Sequence, residues 1–174
     1  NIAMPESLAN VLGPRLYRRK ADLARFWKIS NGLMPDQRAK FNTHAADLTI
    51  IDGVTETHQM IPMRDGTRLS AFIYTPPGNG PWPVLLEQRY ANGNDPGTQK
   101  NFARLAKAGY VTVLANFRGS QKSEGVWRGY RALGWGEQKD GFDTVEWLAA
   151  QPWSTGQVGT LGSPQAGFAQ NFLA

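Results

Sequence analysis

Cysteine is absent from this chain. That excludes disulfides, thiolate metal sites and a cysteine nucleophile, and it leaves the redox compartment open. Histidine is scarce: His44 and His58 are the two imidazoles in 174 residues. They do not form a His-x-x-x-His pair and no tight carboxylate cluster accompanies them, so no metal site is expected. No apolar run approaches the roughly 18 residues a membrane span needs. Internal repeats and low-complexity tracts are missing. Neither a Walker motif nor Gly-x-Gly-x-x-Gly occurs, so no nucleotide or other cofactor is expected. The first residue is Asn1 and no signal-peptide core follows it, which reads as a processed or trimmed start. What remains is 41% hydrophobic and 19% charged, the balance of a globular domain long enough for a sizeable core.

The net charge of +5 is unevenly placed. Residues 1–45 hold Arg15, Arg18, Arg19, Lys20, Arg25, Lys28, Arg38 and Lys40 against Glu6, Asp22 and Asp36. The remainder is balanced. Within the basic segment Leu16, Leu23, Phe26, Trp27 and Ile29 have roughly helical spacing between Pro14 and Asn31-Gly32. The reading is a helical extension whose charges face water or a partner. Nucleic acid is not the expected partner, because no recognised binding module accompanies the charge.

A boundary is drawn at Asp52-Gly53, giving a basic, partly helical extension (1–53) and a second unit (54–174). In the second unit the period changes. Residues 54–63 and 69–75 read as strands joined at Asp65-Gly66, a strong hairpin signal. Val84-Leu85-Leu86 is a short buried-strand run. Residues 98–108 read as a helix stopped by Gly109, 110–115 as a strand, 136–151 as a helix ended by Pro152, 157–161 as a strand and 165–174 as a helix. Strands alternating with helices predict an α/β fold with a mostly parallel sheet preceded by an antiparallel hairpin; strand order stays open.

Residues 156–174 have the form of a nucleophile elbow, a sharp strand-to-helix bend that lifts a hydroxyl out of a sheet. If Gly162 and Gly167 frame it, the nucleophile position holds Pro164, and Ser163 sits one residue early. Proline has no hydroxyl, and its ring fixes φ near −65°, whereas an elbow serine needs a strained turn. Three readings stay open: an inactive or replaced nucleophile, Ser163 acting from an altered bend, or Pro164 as an engineered, natural or sequencing-level replacement of serine. A purely structural role is also available, with Ser163 as N-cap and Pro164 as first helical residue.

Several strings resemble the X-Pro dipeptidyl-peptidase/cocaine-esterase (CocE/NonD) family of α/β-hydrolases. They are Pro62-Met63-Arg64-Asp65-Gly66-Thr67-Arg68-Leu69, Arg89-Tyr90, Phe117-Arg118-Gly119-Ser120, Ser123-Glu124-Gly125, the stretch 140–148 and the stretch 151–159. The resemblance covers roughly 61–174 and implies an incomplete α/β-hydrolase core. It implies a serine hydrolase cleaving an ester or amide, including peptides, through an acyl-enzyme. Tyr90 and the Gln165 backbone N–H would be the oxyanion donors. Chain order in such folds is nucleophile, acid, histidine, so His44 and His58 are not the expected base. The acid and base would come from sequence not given or from a second chain. The alternative is a non-catalytic scaffold or binding subunit. A homo-oligomer is compatible with the resemblance, and a secreted or periplasmic location is what it and the non-methionine start suggest.

Other groups receive structural readings. His58 is read as a surface or sheet residue. Asp140 and Asp143 are read as acids stabilising a helix N-terminus in preference to an acid/base pair. The resemblance makes Arg118 a loop anchor through carboxylate pairing, with Asn116 standing where the family commonly has Asp. Trp127, Tyr130 and Trp135 are read as cover for the core in preference to a pocket lining.

Overall fold

The computed structural model describes residues 49–173. The helix expected near residues 16–29, the basic extension, His44 and Ala174 lie outside them.

Six strands form one sheet: β1 (Thr49–Ile51), β2 (Val54–Pro62), β3 (Arg68–Thr75), β4 (Trp82–Arg89), β5 (Val111–Asn116) and β6 (Ser154–Thr160). Their spatial order is β1-β2-β3-β5-β4-β6. β1, β2, β3 and β5 pair antiparallel, while β4 lies parallel to both β5 and β6. The described sheet is therefore mixed, with three antiparallel pairings and two parallel ones, and not mostly parallel as expected, because β3 joins β5 antiparallel. The expected hairpin is β2–β3. Met63 donates its N–H to the Thr67 carbonyl at 2.8 Å, and Gly66 closes the turn at φ 86°. The boundary drawn at Asp52-Gly53 falls on the tight turn between β1 and β2, so the sheet takes in one short edge strand before it.

Helix α1 (Pro96–Lys107) starts where chemistry favours it. Asp95 caps the Thr98 N–H at 3.0 Å, Pro96 occupies the first turn, and Gly109 at φ 95° ends the segment. Phe102, Ala103 and Ala106 of α1 pack on Val54, Phe72, Tyr74 and Leu114, on one face of the sheet. The opposite face holds Ile61, Leu69, Ala71, Ile73, Val84, Leu86, Val111, Val113 and Ala115. It is covered by Leu148 of α3 (Asp140–Ala149) and by Leu173. Burying each large side chain contributes about 1.5–3 kcal/mol against exposure.

Several elements differ from expectation. The helix expected over 136–151 begins only at Asp140, as α3, and a separate single turn, α2 (Arg131–Gly134), precedes the expected range, because Gly136 (φ 74°) and Lys139 (φ 50°) turn the chain between them. The last helix is one turn, α4 (Gln165–Ala169), followed by a 3₁₀ turn at Gln170–Phe172. β4 is longer than its apolar run: buried Glu87 pairs with Arg89 at 3.1 Å, and that polar end is what hid it.

The connection from β4 crosses one face through α1, and the one reaching β6 crosses the other through α3. The carboxyl end of β4 is therefore a switch point, where open α/β sheets place their ligands.

Candidate active site

Three chain segments leave the carboxyl edge of the parallel strands side by side: the loop from Tyr90 after β4, the loop from Phe117 after β5, and 161–164 after β6. Backbone bonds tie them together. Phe117 donates to the Arg89 carbonyl at 3.1 Å, and Leu161 to the Leu86 carbonyl at 2.9 Å.

The bend after β6 is tight. Gly162 has φ 128°, and a Cβ built on it would lie 2.3 Å from the Ala166 Cβ. A Cβ on Gly167 would lie 2.9 Å from the Gly162 carbonyl oxygen. Both framing glycines are therefore needed for strand and helix to approach this closely. Gly162→Ala is expected to cost on the order of 2–3 kcal/mol through the clash and the positive φ, read as a lowered denaturation midpoint.

Between the glycines the chain departs from an elbow. Pro164 lies in the helical region (φ −78°, ψ −35°) and its carbonyl accepts from the Phe168 N–H at 3.1 Å. The expected serine cap does not form: α4 begins with no side-chain capping bond. Ser163 is exposed, and its hydroxyl has no hydrogen-bond partner among the described residues. Gln165 opens the helix, so its N–H belongs to the first turn, where intrahelical acceptors are lacking.

Tyr90 is 41% exposed. Its ring meets Phe117 at 6.0 Å and Trp127 at 5.5 Å, edge-on in both cases. Phe117 continues to Tyr130 at 5.3 Å, and Tyr130 to Phe168 of α4 at 4.9 Å. The Tyr130 hydroxyl donates to the Gln165 carbonyl at 3.2 Å. One run of rings thus leads from Tyr90 to the bend. No hydrogen bond joins the Tyr90 hydroxyl to Ser163 among the described residues. Sequence reasoning treated Tyr130 as cover and missed its bond to the turn, since a 35-residue separation carries no local signal. Trp127 and Trp135 are not simple cover either: they are 47% and 59% exposed.

Asn116 fixes the Tyr90 loop. Its amide donates to the carbonyls of Arg89 (3.3 Å) and Ala91 (3.1 Å), while its own oxygen is buried without a partner. A carboxylate there would face two acceptors and donate nothing. Asn116→Asp is expected to cost about 2–4 kcal/mol near neutral pH. The aspartate's pKa would be raised, so the loss should shrink in acid, where the protonated form can donate one bond again. Denaturant titrations at pH 5 and pH 8 check this.

Below the site lies a charged clamp. Arg118, almost fully buried, bonds Asp140 through Nε (2.9 Å) and Nη2 (2.6 Å), Asp65 through Nη1 (2.7 Å), and the Thr67 hydroxyl at 2.6 Å. Arg64 pairs with Asp143 at 2.6 Å, and Arg68 with Glu124. Asp140 and Asp143 stand in the first turn of α3, as the helix N-terminus reading expected, and are in addition ion-pair partners of particular arginines, so neither is free for acid/base work. The anchoring role expected of Arg118 is what the contacts show. His58 sits in β2 against Phe72, with its Nε2 2.9 Å from the Ser70 hydroxyl, a sheet residue as expected.

The sequence profile of the X-Pro dipeptidyl-peptidase (S15) family matches residues 65–174. The chain belongs to the S15 family. It is 35% identical over 115 residues to the cocaine esterase of Rhodococcus sp., covering 64% of this chain and 19% of that protein. A solved aminopeptidase from a marine-sediment Thaumarchaeota archaeon matches with TM-score 0.58 and 27% identity, over 73% of this chain and 23% of that one. A CocE/NonD family hydrolase from Staphylococcus aureus matches with TM-score 0.60 and 25% identity, over 69% and 25%. The S15 chain thus spans about a fifth of the curated relative and a quarter of each solved one. The α/β-hydrolase fold expected from the sequence is the fold observed.

Proposed function

We propose that this S15 chain is the N-terminal part of a hydrolase that cleaves an ester or amide bond by transferring the acyl group to a serine hydroxyl. The single observation that carries the reading is the Gly162–Gly167 bend, closed too tightly for any side chain at either glycine and standing at the switch-point edge beside the Tyr90 loop. Ser163 would attack the carbonyl carbon. Tyr90 and the Gln165 N–H would receive the developing oxyanion. A histidine outside these 174 residues would take the serine proton and pass it to the leaving group, and water would then cleave the acyl-serine to free the acid and restore the hydroxyl. Small esters, amides or short peptides are the expected substrates. The S15 unit, residues 54–174 with the basic extension before it, would be completed by further sequence or by a second chain.

The helical backbone of Pro164 favours a second reading, a member that keeps the fold and binds without cleaving. The full-length protein treated with a fluorophosphonate separates the two. Phosphonylation mapped to Ser163, and abolished by Ser163→Ala, is the expected result. A folded protein that takes no label at 163–165 leaves the binding role.

A further inference from the structure

Past Trp127 the chain folds around an open pocket of about 570 Å³, lined by Arg128, Arg131, Trp135, Gly136, Glu137 and Gln138. Its shape is set by the chain itself. Gly129 (φ 59°) and Gly136 (φ 74°) make the turns, Trp135 N–H donates to the Arg131 carbonyl at 3.1 Å, and the Lys139 amine holds the Gly134 carbonyl. Neither Arg128 nor Arg131 forms an ion pair among the described residues; Glu137, the one acid on the wall, does not reach either. Trp135 is braced edge-on against Phe172 at 5.1 Å and leaves much of its indole open.

Arg128 and Arg131 line the same pocket with no ion pair among the described residues, so an oxyanion there takes charge-assisted hydrogen bonds from guanidiniums that have no competing carboxylate. Trp135, on the same lining and 59% exposed, adds aromatic surface against which a planar ring packs. A carboxylate joined to an aromatic ring satisfies both. The pocket is linked along the chain to the candidate active site. Arg128 follows Trp127, whose ring meets Tyr90, and Arg131 follows Tyr130, whose hydroxyl holds Gln165.

We propose that this pocket is a binding site for an aromatic carboxylate, and that it selects hydrolase substrates carrying one. The selection rests on the hydrolase reading; the binding does not.

Benzoate and its neutral isostere benzamide, titrated into the full-length protein by calorimetry, test it. Benzoate is expected to bind at least about tenfold more tightly than benzamide, a difference of about 1.4 kcal/mol. Arg128→Ala/Arg131→Ala should weaken benzoate about tenfold or more and leave benzamide unchanged. Arg128→Lys/Arg131→Lys, which keeps the charge, should fall between. Trp135→Ala should weaken both ligands. Equal affinities for the two ligands, no saturable binding, or benzoate affinity untouched by the double alanine change would overturn the proposal. Benzoate binding in this pattern without turnover of any ester sinks the hydrolase reading alone. Ester turnover without benzoate binding sinks the pocket alone.

Discussion

Pro164→Ser in the full-length protein is expected to raise ester hydrolysis by about 10³-fold, the scale on which a positioned nucleophile counts beside the oxyanion donors proposed above. The substitution places a hydroxyl directly before the Gln165 N–H, which is where an elbow nucleophile sits relative to its own oxyanion donor. It also frees φ from the proline ring, which holds this residue in a helical conformation (φ −78°). If Ser163 already acts, the gain comes from moving the hydroxyl forward by one residue. If the protein does not cleave, the gain starts from the uncatalysed rate, and label appears at position 164 for the first time. Little accompanying change in stability is expected, because Pro164 is exposed. A folded Pro164→Ser protein with neither new label nor added turnover would mean the bend is a packing device and not a catalytic one.

The second large effect lies in the Arg118 clamp. Arg118→Ala is expected to cost about 3–5 kcal/mol, because it leaves the fully buried Asp140 with no counter-charge in a dry site. The intact clamp is worth less than that. Burial pushes the Asp140 carboxyl up, and Arg118 only partly offsets it; the arginine itself is held further toward its charged form, first by its hydrogen bonds to Asp140. Replacing both partners, Arg118→Met with Asp140→Leu, should therefore lose less than Arg118→Ala alone. Chemical denaturation followed by far-UV circular dichroism reads both. A single-variant loss under about 1 kcal/mol would show that the site takes in water.

Asp65 adds a pH signature. Burial works against its charge, but hydrogen bonds from Arg118 and Thr67 prevail and hold its carboxyl below the ordinary range. A carboxyl depressed in the folded state contributes stability above its unfolded pKa. That contribution disappears as pH falls through the folded value. Asp65→Asn should therefore lower stability near neutrality and flatten the acid limb of the stability profile. The change should be small, because Asp65 stays partly open to water.

Much of this could be read before any coordinates. Asp65-Gly66 marked the β2–β3 turn because a positive φ between two β-rich runs has few other uses. Asp95 and Pro96 mark the start of α1, although the helix was expected two residues later. Other elements were illegible for stated reasons. β1 is three residues long and carries no period. The polar end of β4 holds buried Glu87 and Gln88, residue types that do not signal burial, and Arg89 reaches back to pair with Glu87. The break between α2 and α3 depends on Lys139 adopting a positive φ, which few side chains do.

The amino-acid sequence by itself determined the alternation of strands and helices, the hairpin, the two glycines at the bend and the loss of a hydroxyl at position 164. Each is a local property, set by backbone freedom or side-chain chemistry within a few residues. Only the tertiary structure decided that β4 stands between β5 and β6, that Arg118 joins Asp65 to Asp140, that Tyr130 holds Gln165, and that Arg128, Arg131 and Trp135 share one pocket. Those pairings close long loops, and the energy that selects among them comes from burying both faces of one sheet at once, which no short window of residues contains.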